Sequence, residues 1–319
     1  MSSKRVAAID CGTNSIRLLV ADVDGAAMTL VDVVRTMDIV RLGQGVDATG
    51  ELSAGALERT FAKCDEYAAT VADLGVQTVR FVATSATRDA RNRDEFVNGV
   101  RDRLGIEPEV IPGDTEAHLS FLGATRSLVS VPSLARRLTD EPSLVLDIGG
   151  GSTEFVLGTA RDGVSADRSM NIGCVRITER RLHSDPPTVA EVRAAVADID
   201  EAIEQASQTV ALREAKTLVG LAGSVTTLAA IALDLDHYDP LMTHGSMLMA
   251  SEVHELAQRL LGMSHRDRAA IAVMHPGRVD VIGAGALILD RVVTATGLSE
   301  VLVSEHDILD GIAWSLADG

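Results

Sequence analysis

The chain has 319 residues, of which 46% are hydrophobic and 24% charged, and its net charge is −17. This length favours two domains over one. The negative charge excludes nucleic-acid or acidic-membrane binding through the general surface, whereas a local basic cleft for an anionic ligand stays open. No stretch reaches the ~18 apolar residues of a membrane span. The start MSSKRVAAIDCG lacks the apolar region of a signal peptide.

The cysteines and histidines show no metal-binding or disulfide pattern. Cys11, Cys64 and Cys174 lie far apart and form no CxxC pair, and the eight histidines do not cluster at ligand spacing. This spacing predicts neither a disulfide framework nor a zinc site. We therefore expect a protein of the reducing cytoplasm.

Strands and helices alternate along the chain, which predicts an α/β fold. The first half contains predicted strands at 5–10, 15–23, 28–40, 78–84 and 107–113, and predicted helices at 53–75, 93–105 and 114–129. The second half contains a predicted strand, turn and strand over 143–159, a predicted strand, glycine turn and helix over 217–233, a predicted strand at 300–305, and predicted helices at 191–206 and 285–296. Ser53 is the expected N-cap of the first helix, and Gly75 ends it.

The hairpin at the start of the chain is repeated at its middle. The sequences DCGTNSIRLLV and DIGGGSTEFVL align so that Asp10 matches Asp147, Gly12 matches Gly149, Ser15 matches Ser152 and Arg17 matches Glu154. Each copy reads strand, acid, glycine turn, strand. The repeat predicts a duplicated domain, with both glycine turns facing one cleft.

The composition of the two turns points to phosphate. Bare glycine amides and Ser or Thr hydroxyls offer many donors to an anion that approaches the backbone closely. The predicted phosphate-binding residues are Thr13, Asn14 and Ser15 in the first turn, and Gly149, Gly150, Gly151, Ser152 and Thr153 in the second. A tight hairpin without a ligand is the alternative, and two matched copies with acids at the strand ends weigh against it.

The acids beside these turns indicate a metal ion. Asp10 and Asp147 would repel phosphate unless a cation lay between, and Mg²⁺ is commonly held by one or two carboxylates together with phosphate oxygens. Glu154 shares a strand face with Ser152, because side chains alternate along a strand. We therefore expect Asp10, Asp147 and Glu154 to hold Mg²⁺, or alternatively Mn²⁺.

The chain resembles the exopolyphosphatase / guanosine pentaphosphate phosphohydrolase (Ppx/GppA) family, within the actin, Hsp70 and sugar-kinase superfamily. The two hairpins are similar to the phosphate motifs of that superfamily. The narrower resemblance rests on further segments in the family's order: VRLGQGVDATGELS, FVATSATRDARNRDEF, VIPGDTEAHLSFLGA, NIGCVRITER and PGRVDVIGAGALIL. It implies two duplicated actin-like (ribonuclease H-like) domains that flank an active-site cleft, at 1–122 with the tail 303–319 returning to it, and at 123–302.

The resemblance also implies roles for single residues. Glu116 matches the family's catalytic glutamate, which would act as base on the attacking water. Without the resemblance, interaction with the helix dipole is the better explanation of an acid in the first turn of a helix. Arg17 and Arg88 match positions that hold the phosphate chain. The positions implied for a nucleotide or for distal phosphates are Gly223, Ser224, Thr226 and Arg278.

The expected activity is release of terminal orthophosphate from inorganic polyphosphate. The close alternative is removal of the 5′ γ-phosphate from guanosine pentaphosphate; a superfamily kinase and a binding module without turnover are further alternatives. Longer family members carry extra C-terminal helical domains, so the end of this chain at Gly319 leads us to expect a preference for short polyphosphate. Leu309 stands where an Arg is usual, which puts one family contact in question. The resemblance also implies a homodimer.

Overall fold

A computed structural model describes residues 3–317. The chain divides into two compact units, the first composed of Met1–Gly123 and Ile308–Gly319, the second of Ala124–Asp307. Among residues 3–317, no helix combines the length and the apolar character needed to cross a membrane.

Eleven strands and fourteen α-helices build these units within the described part of the chain. The strands are β1 Lys4–Cys11, β2 Ser15–Asp24, β3 Thr29–Ile39, β4 Thr78–Ala83, β5 Glu109–Val110, β6 Ser143–Ile148, β7 Thr153–Thr159, β8 Gly163–Met170, β9 Thr217–Leu221, β10 Met247–Met249 and β11 Glu300–Val303. The helices are α1 Val46–Thr49, α2 Ala54–Asp73, α3 Ser85–Asp89, α4 Arg93–Leu104, α5 Gly113–Val129, α6 Pro132–Asp140, α7 Cys174–Arg181, α8 Val189–Ser207, α9 Ala222–Ala232, α10 Pro240–Thr243, α11 Ala250–Gly262, α12 His265–Ala269, α13 Ile282–Thr296 and α14 Ile308–Ser315.

The two sheets share one topology. The first sheet has the strand order β3-β2-β1-β4-β5, and the second has β10-β11-β9-β6-β7-β8, so the second repeats the first and adds β10 at its edge. In both units the first three strands are antiparallel and the fourth pairs in parallel with the first. A bulge follows Val20 in one copy and Leu157 in the other, each ten residues after the aligned aspartate. The predicted α/β fold built from two related units is confirmed.

The predicted elements form where local patterns dictated them. β1 and β6 are apolar on both faces, as expected for central strands. Ser53 caps α2 by accepting a hydrogen bond from the Ala56 amide, and Gly75, at φ 62°, follows its end.

Strand β8 has no recognisable signal in the sequence. Its residues, GVSADRSM, contain few apolar positions, and only Met170 at its end is fully buried. β8 is the edge strand of the second sheet, so it does not need the apolar alternation that reveals a half-buried strand. Helix α7, which directly follows the β8 strand, was also not predicted.

The core of the first unit lies on both faces of its sheet. Helices α2 and α4 cover one face, and α14 covers the other. Leu309, which replaces the Arg usual in the resembled family, is buried in this second layer. At this position the chain therefore has a packing residue.

Replacing Asp310 by asparagine is expected to lower the free energy of unfolding by roughly 1–3 kcal/mol, because the change removes the buried charged partner of Arg35 and leaves that guanidinium only the part-exposed Asp32. Asp310 is 1% exposed and pairs with Arg35 of β3 at 2.5 Å, which fastens α14 to the sheet. Urea denaturation measures the effect. Asp22→Asn, which breaks the exposed pair with Arg5, is the matched control and should cost at most about 1 kcal/mol. Equal costs would contradict the prediction.

Candidate active site

The hairpin register places two acids and their partners at equivalent positions. Asp10 lies opposite Arg17 across β1 and β2, and Asp147 lies opposite Glu154 across β6 and β7. Directly opposed residues in an antiparallel pair project to the same face with neighbouring Cβ atoms. Each unit therefore presents one aspartate beside its glycine turn, with a different partner in each copy.

In the first unit that partner is a cation. Arg17 donates to Asp10 Oδ2 from Nε at 3.0 Å and from Nη2 at 2.6 Å, and Asp10 is buried. The positive charge of the guanidinium compensates the negative charge of the buried carboxylate. The structure thus joins a residue predicted to hold metal and a residue predicted to hold phosphate into one ion pair.

In the second unit the partner is another carboxylate. Asp147 is 7% exposed and Glu154 is 1% exposed, and Ser169 of β8 donates to Glu154 Oε1 at 2.7 Å. Two neighbouring buried carboxylates repel each other unless a cation or a proton compensates them. This donor set suits Mg²⁺, which needs few protein ligands. No group of three or more His, Cys, Asp or Glu arranged for a metal occurs among residues 3–317.

The second glycine turn is tied to the start of α7 by its carbonyls. Gly149 O accepts from the amide of Cys174 at 2.9 Å, and Gly150 O accepts from those of Val175 and Arg176 at 2.9 and 3.1 Å. Gly151 O accepts from the buried side chain of Arg176, whose Nε lies at 2.8 Å.

These contacts direct the turn's amides outward. In a trans peptide the N–H points away from the preceding C=O, so the amides of Gly150, Gly151 and Ser152 point away from α7. None of these three amides donates a hydrogen bond to another residue within the described range. Three successive N–H groups that point one way form an anion-binding nest.

The first glycine turn is supported in a similar way by residues 40–43. Thr13 O accepts from the Gly43 amide at 2.8 Å, and Asn14 O accepts from the amides of Val40 and Arg41 at 3.1 and 2.9 Å. The amides of Asn14 and Ser15 are thereby directed away from that loop. Both turns also close with the same bond, Gly12 N to Ser15 O and Gly149 N to Ser152 O, at 3.0 Å each.

A glycine packs directly against each turn. A Cβ on Gly173 would overlap the Gly150 carbonyl, and a Cβ on Gly43 would overlap the Thr13 side chain. Only glycine permits these approaches.

Glu116 and Arg88 form an ion pair. Glu116 lies in the first turn of α5 and is 8% exposed; Arg88 of α3 donates from Nη1 to Glu116 Oε2 at 3.1 Å and to Ile111 O at 2.9 Å. Ser85, at the start of α3, hydrogen bonds with Thr13 of the first turn at 2.8 Å between hydroxyl oxygens. Within the first unit, α3 therefore links the turn to the predicted catalytic glutamate.

The turn between β9 and α9 is strained at Ala222, whose backbone adopts φ 67°. The guanidinium of Arg278 packs where a Cβ of Gly223 would be, and its Nη1 donates to Thr227 Oγ1 at 2.9 Å. Ser224 is buried against Gly285. The structure thus brings Arg278 onto the predicted glycine turn.

Comparison with known proteins agrees with this architecture. The profile of the Ppx/GppA phosphatase family matches residues 19–318. The chain belongs to this family.

Relatives of known sequence or structure cover nearly the whole chain. Exopolyphosphatase 2 of Mycobacterium tuberculosis is 49% identical over 329 residues, which span 99% of this chain and 100% of the relative. The crystal structure of an exopolyphosphatase-like protein has a TM-score of 0.91 and 41% identity, covering 99% of this chain and 98% of that one. The Ppx/GppA enzyme of Aquifex aeolicus has a TM-score of 0.80 and 30% identity, with 98% and 99% covered.

Several polar residues in the Ppx/GppA motifs have structural contacts. Thr153 is fully buried and its hydroxyl donates to the Ile172 carbonyl, so that the hydroxyl is occupied within the unit. Cys11 and Cys174 are buried thiols, and burial raises the pKa of each. Raised thiol pKa values oppose thiolate formation, which argues for packing roles.

Sequence reasoning missed the residues that support the turns. Gly43 and Gly173 back them, Ser169 holds Glu154, and Arg176 holds the Gly151 carbonyl. One signal was available: in each repeat a glycine follows the third strand, in RLG and in NIG. The hydrogen bonds themselves join residues 15 to 30 positions apart and leave no local pattern.

Proposed function

We propose that this protein is an exopolyphosphatase, which hydrolyses the terminal phosphoanhydride of inorganic polyphosphate and releases orthophosphate. The observation that carries the proposal is the glycine turn of the second unit, with three outward amides beside the carboxylates of Asp147 and Glu154. Amides suit phosphate oxygens and carboxylates suit a cation that phosphate recruits. Exopolyphosphatase 2 of M. tuberculosis, similar over its full length, supports the same activity.

In the proposed mechanism, Glu116 orients a water molecule and takes its proton while the water oxygen attacks the terminal phosphorus. The bond from that phosphorus to the bridging oxygen breaks, and the shortened chain leaves with the electron pair. Arg88 pairs with Glu116 and fixes its carboxylate. Phosphoryl transfer depends mainly on positioning and charge stabilisation, which the turn amides and Arg17 supply.

Asp147 and Glu154 are the residues that would hold Mg²⁺, or Mn²⁺ in its place. When bound, the ion would neutralise phosphate charge and draw the anionic chain towards two carboxylates that otherwise repel it. Asp10 is less suited to this role than we expected from sequence, because Arg17 already compensates it.

Chelation is expected to abolish phosphate release. The purified protein is assayed for orthophosphate with short polyphosphate, long polyphosphate and guanosine pentaphosphate, each with Mg²⁺ and then with EDTA. Release from polyphosphate that EDTA stops and added Mg²⁺ restores supports the proposal. Full activity in EDTA would contradict the metal assignment, and no release from any substrate would leave a kinase or a binding module.

Guanosine pentaphosphate stays the alternative substrate, and the same assay ranks it against polyphosphate. The preference for short chains, the homodimer and the cytoplasmic location stay predictions.

A further inference from the structure

The second unit contains a cavity bounded by the last turns of α8 and α13 and by the segment 211–214. Its volume is about 620 Å³, which lies within the range of small-molecule sites, roughly 300–1,000 Å³. Among residues 3–317, none of those assigned to the candidate active site lines it. Ile203, Leu212 and Ala295 contribute apolar surface to its lining, and the first two are buried core residues. The cavity therefore offers a separate place for a ligand with an apolar part.

One ion pair in the wall of this cavity is self-contained. Arg291 donates from Nε to Asp200 Oδ1 at 2.7 Å and from Nη2 to Asp200 Oδ2 at 3.0 Å. Both carboxylate oxygens of Asp200 are thereby used, and the two charges compensate each other. The choice of a ligand is left to the other charged residues of the lining.

Those other charged residues are Glu204, Arg213 and Glu214, and none of them forms an ion pair within the described part of the chain. Arg213 donates from Nε to the Ala295 carbonyl at 3.4 Å, and its two Nη groups make no hydrogen bond to residues 3–317. The carboxylates of Glu204 and Glu214 accept none from the same residues. The lining thus offers one guanidinium and two carboxylates to a ligand.

The ends of two helices favour a cation in this cavity. Neither α8 nor α13 has a basic residue in its last turn. The last carbonyls of a helix carry partial negative charge, so an acid in the last turn, such as Glu204 in α8, is unfavourable by itself. A bound cation would offset both the carbonyls and the carboxylate.

A ligand that matches all of these groups has one anionic and two cationic groups on an aliphatic chain. A carboxylate suits Arg213, because a guanidinium binds carboxylates through two parallel hydrogen bonds. Two ammonium groups suit Glu204 and Glu214, and methylene groups suit the apolar lining. A chain of phosphates has no cationic group and would be repelled by the two glutamates. A basic amino acid such as lysine carries the required set.

We propose that this cavity is a binding site for a basic amino acid, separate from the candidate active site. The ligand carboxylate pairs with Arg213, its two ammonium groups pair with Glu204 and Glu214, and its aliphatic stem lies against Ile203 and Leu212. The proposal goes beyond the proposed hydrolysis of polyphosphate and does not depend on it.

Binding calorimetry tests the proposal with lysine and with analogues that each lack one charged group. Cadaverine lacks the carboxylate, 6-aminohexanoate lacks the α-amino group, and norleucine lacks the side-chain ammonium. We expect lysine to bind roughly threefold or more tightly than each analogue, because each missing group leaves one exposed ion pair unmade. Equal affinities for all these compounds, or no lysine binding at millimolar concentration, would overturn the proposal.

Substitutions assign the individual charges. Arg213→Gln should make lysine and cadaverine bind equally, and Glu204→Gln should remove the preference for lysine over either norleucine or 6-aminohexanoate. Arg193→Gln changes an exposed arginine of α8 outside the cavity lining and should keep every preference. Thermal unfolding confirms that the variants fold.

A preference for lysine over cadaverine that survives in Arg213→Gln would also overturn the proposal. Phosphate release is no part of this readout. A failure of the proposed hydrolysis and a failure of the amino-acid site are therefore distinguishable.

Discussion

Glu116→Gln is expected to lower kcat for orthophosphate release from polyphosphate by a factor of about 10²–10⁴, the usual contribution of a general base. The substitution keeps the shape of the side chain and its contact with Arg88, 3.1 Å away, but removes the group that takes the proton. KM should change little, since in the proposed mechanism Glu116 acts on water and the glycine turns bind phosphate. Steady-state kinetics on wild type and variant measure both constants.

Glu109→Gln is the matched control for this change. Glu109 also pairs with an arginine of the first unit, Arg80 at 2.8 Å, but it is exposed. Its variant should keep wild-type kcat. If Glu116→Gln lowers thermal stability and leaves kcat intact, Glu116 only complements the dipole of α5, and the proposed mechanism loses its base.

Gly173→Ala is expected to lower kcat/KM by about 10²-fold, the scale of a misplacement of about 1 Å in a phosphate-binding group. The added methyl group would overlap the carbonyl of Gly150 and the amide of Gly151. Because backbone atoms have no alternative rotamer, the turn itself must shift, and its outward amides shift with it. A loss of roughly 1–3 kcal/mol in the free energy of unfolding should accompany the change.

Gly262→Ala serves as the control for this second change. Gly262 is the last residue of α11, and a Cβ there would meet nothing within 4 Å. The variant should be as active as wild type and as stable or slightly more stable, because alanine favours helix more than glycine does. Equal activity of Gly173→Ala and Gly262→Ala would show that the position of the turn does not control phosphate binding.

Much of the fold was predictable because its signals are local. The apolar runs of β1 and β6, the cap of α2 at Ser53 and the glycine turns are each contained in short stretches of sequence. The elements that sequence analysis did not predict are those without a local signal. β8 is a polar edge strand, and strand pairing rather than its own pattern establishes it.

The candidate site likewise combines features that local sequence predicts with contacts that only the folded structure shows. Ser152 and Glu154 could be placed on one face from strand alternation, whereas Asp147 is seen opposite Glu154 only in the register of β6 and β7. Arg17 was assigned to phosphate and Asp10 to metal, and their mutual ion pair appears only once β1 and β2 are paired.

The sequence by itself determined the α/β class, the duplication, and the residue types that point to phosphate and a cation, since each follows from local composition and periodicity. The tertiary structure alone decided the direction of the turn amides, because α7 and its Arg176 hold the carbonyls from 25 positions away. It also decided the pairing of Asp200 with Arg291, 91 positions later in the chain. Such contacts depend on which elements pack together, and no local pattern encodes them.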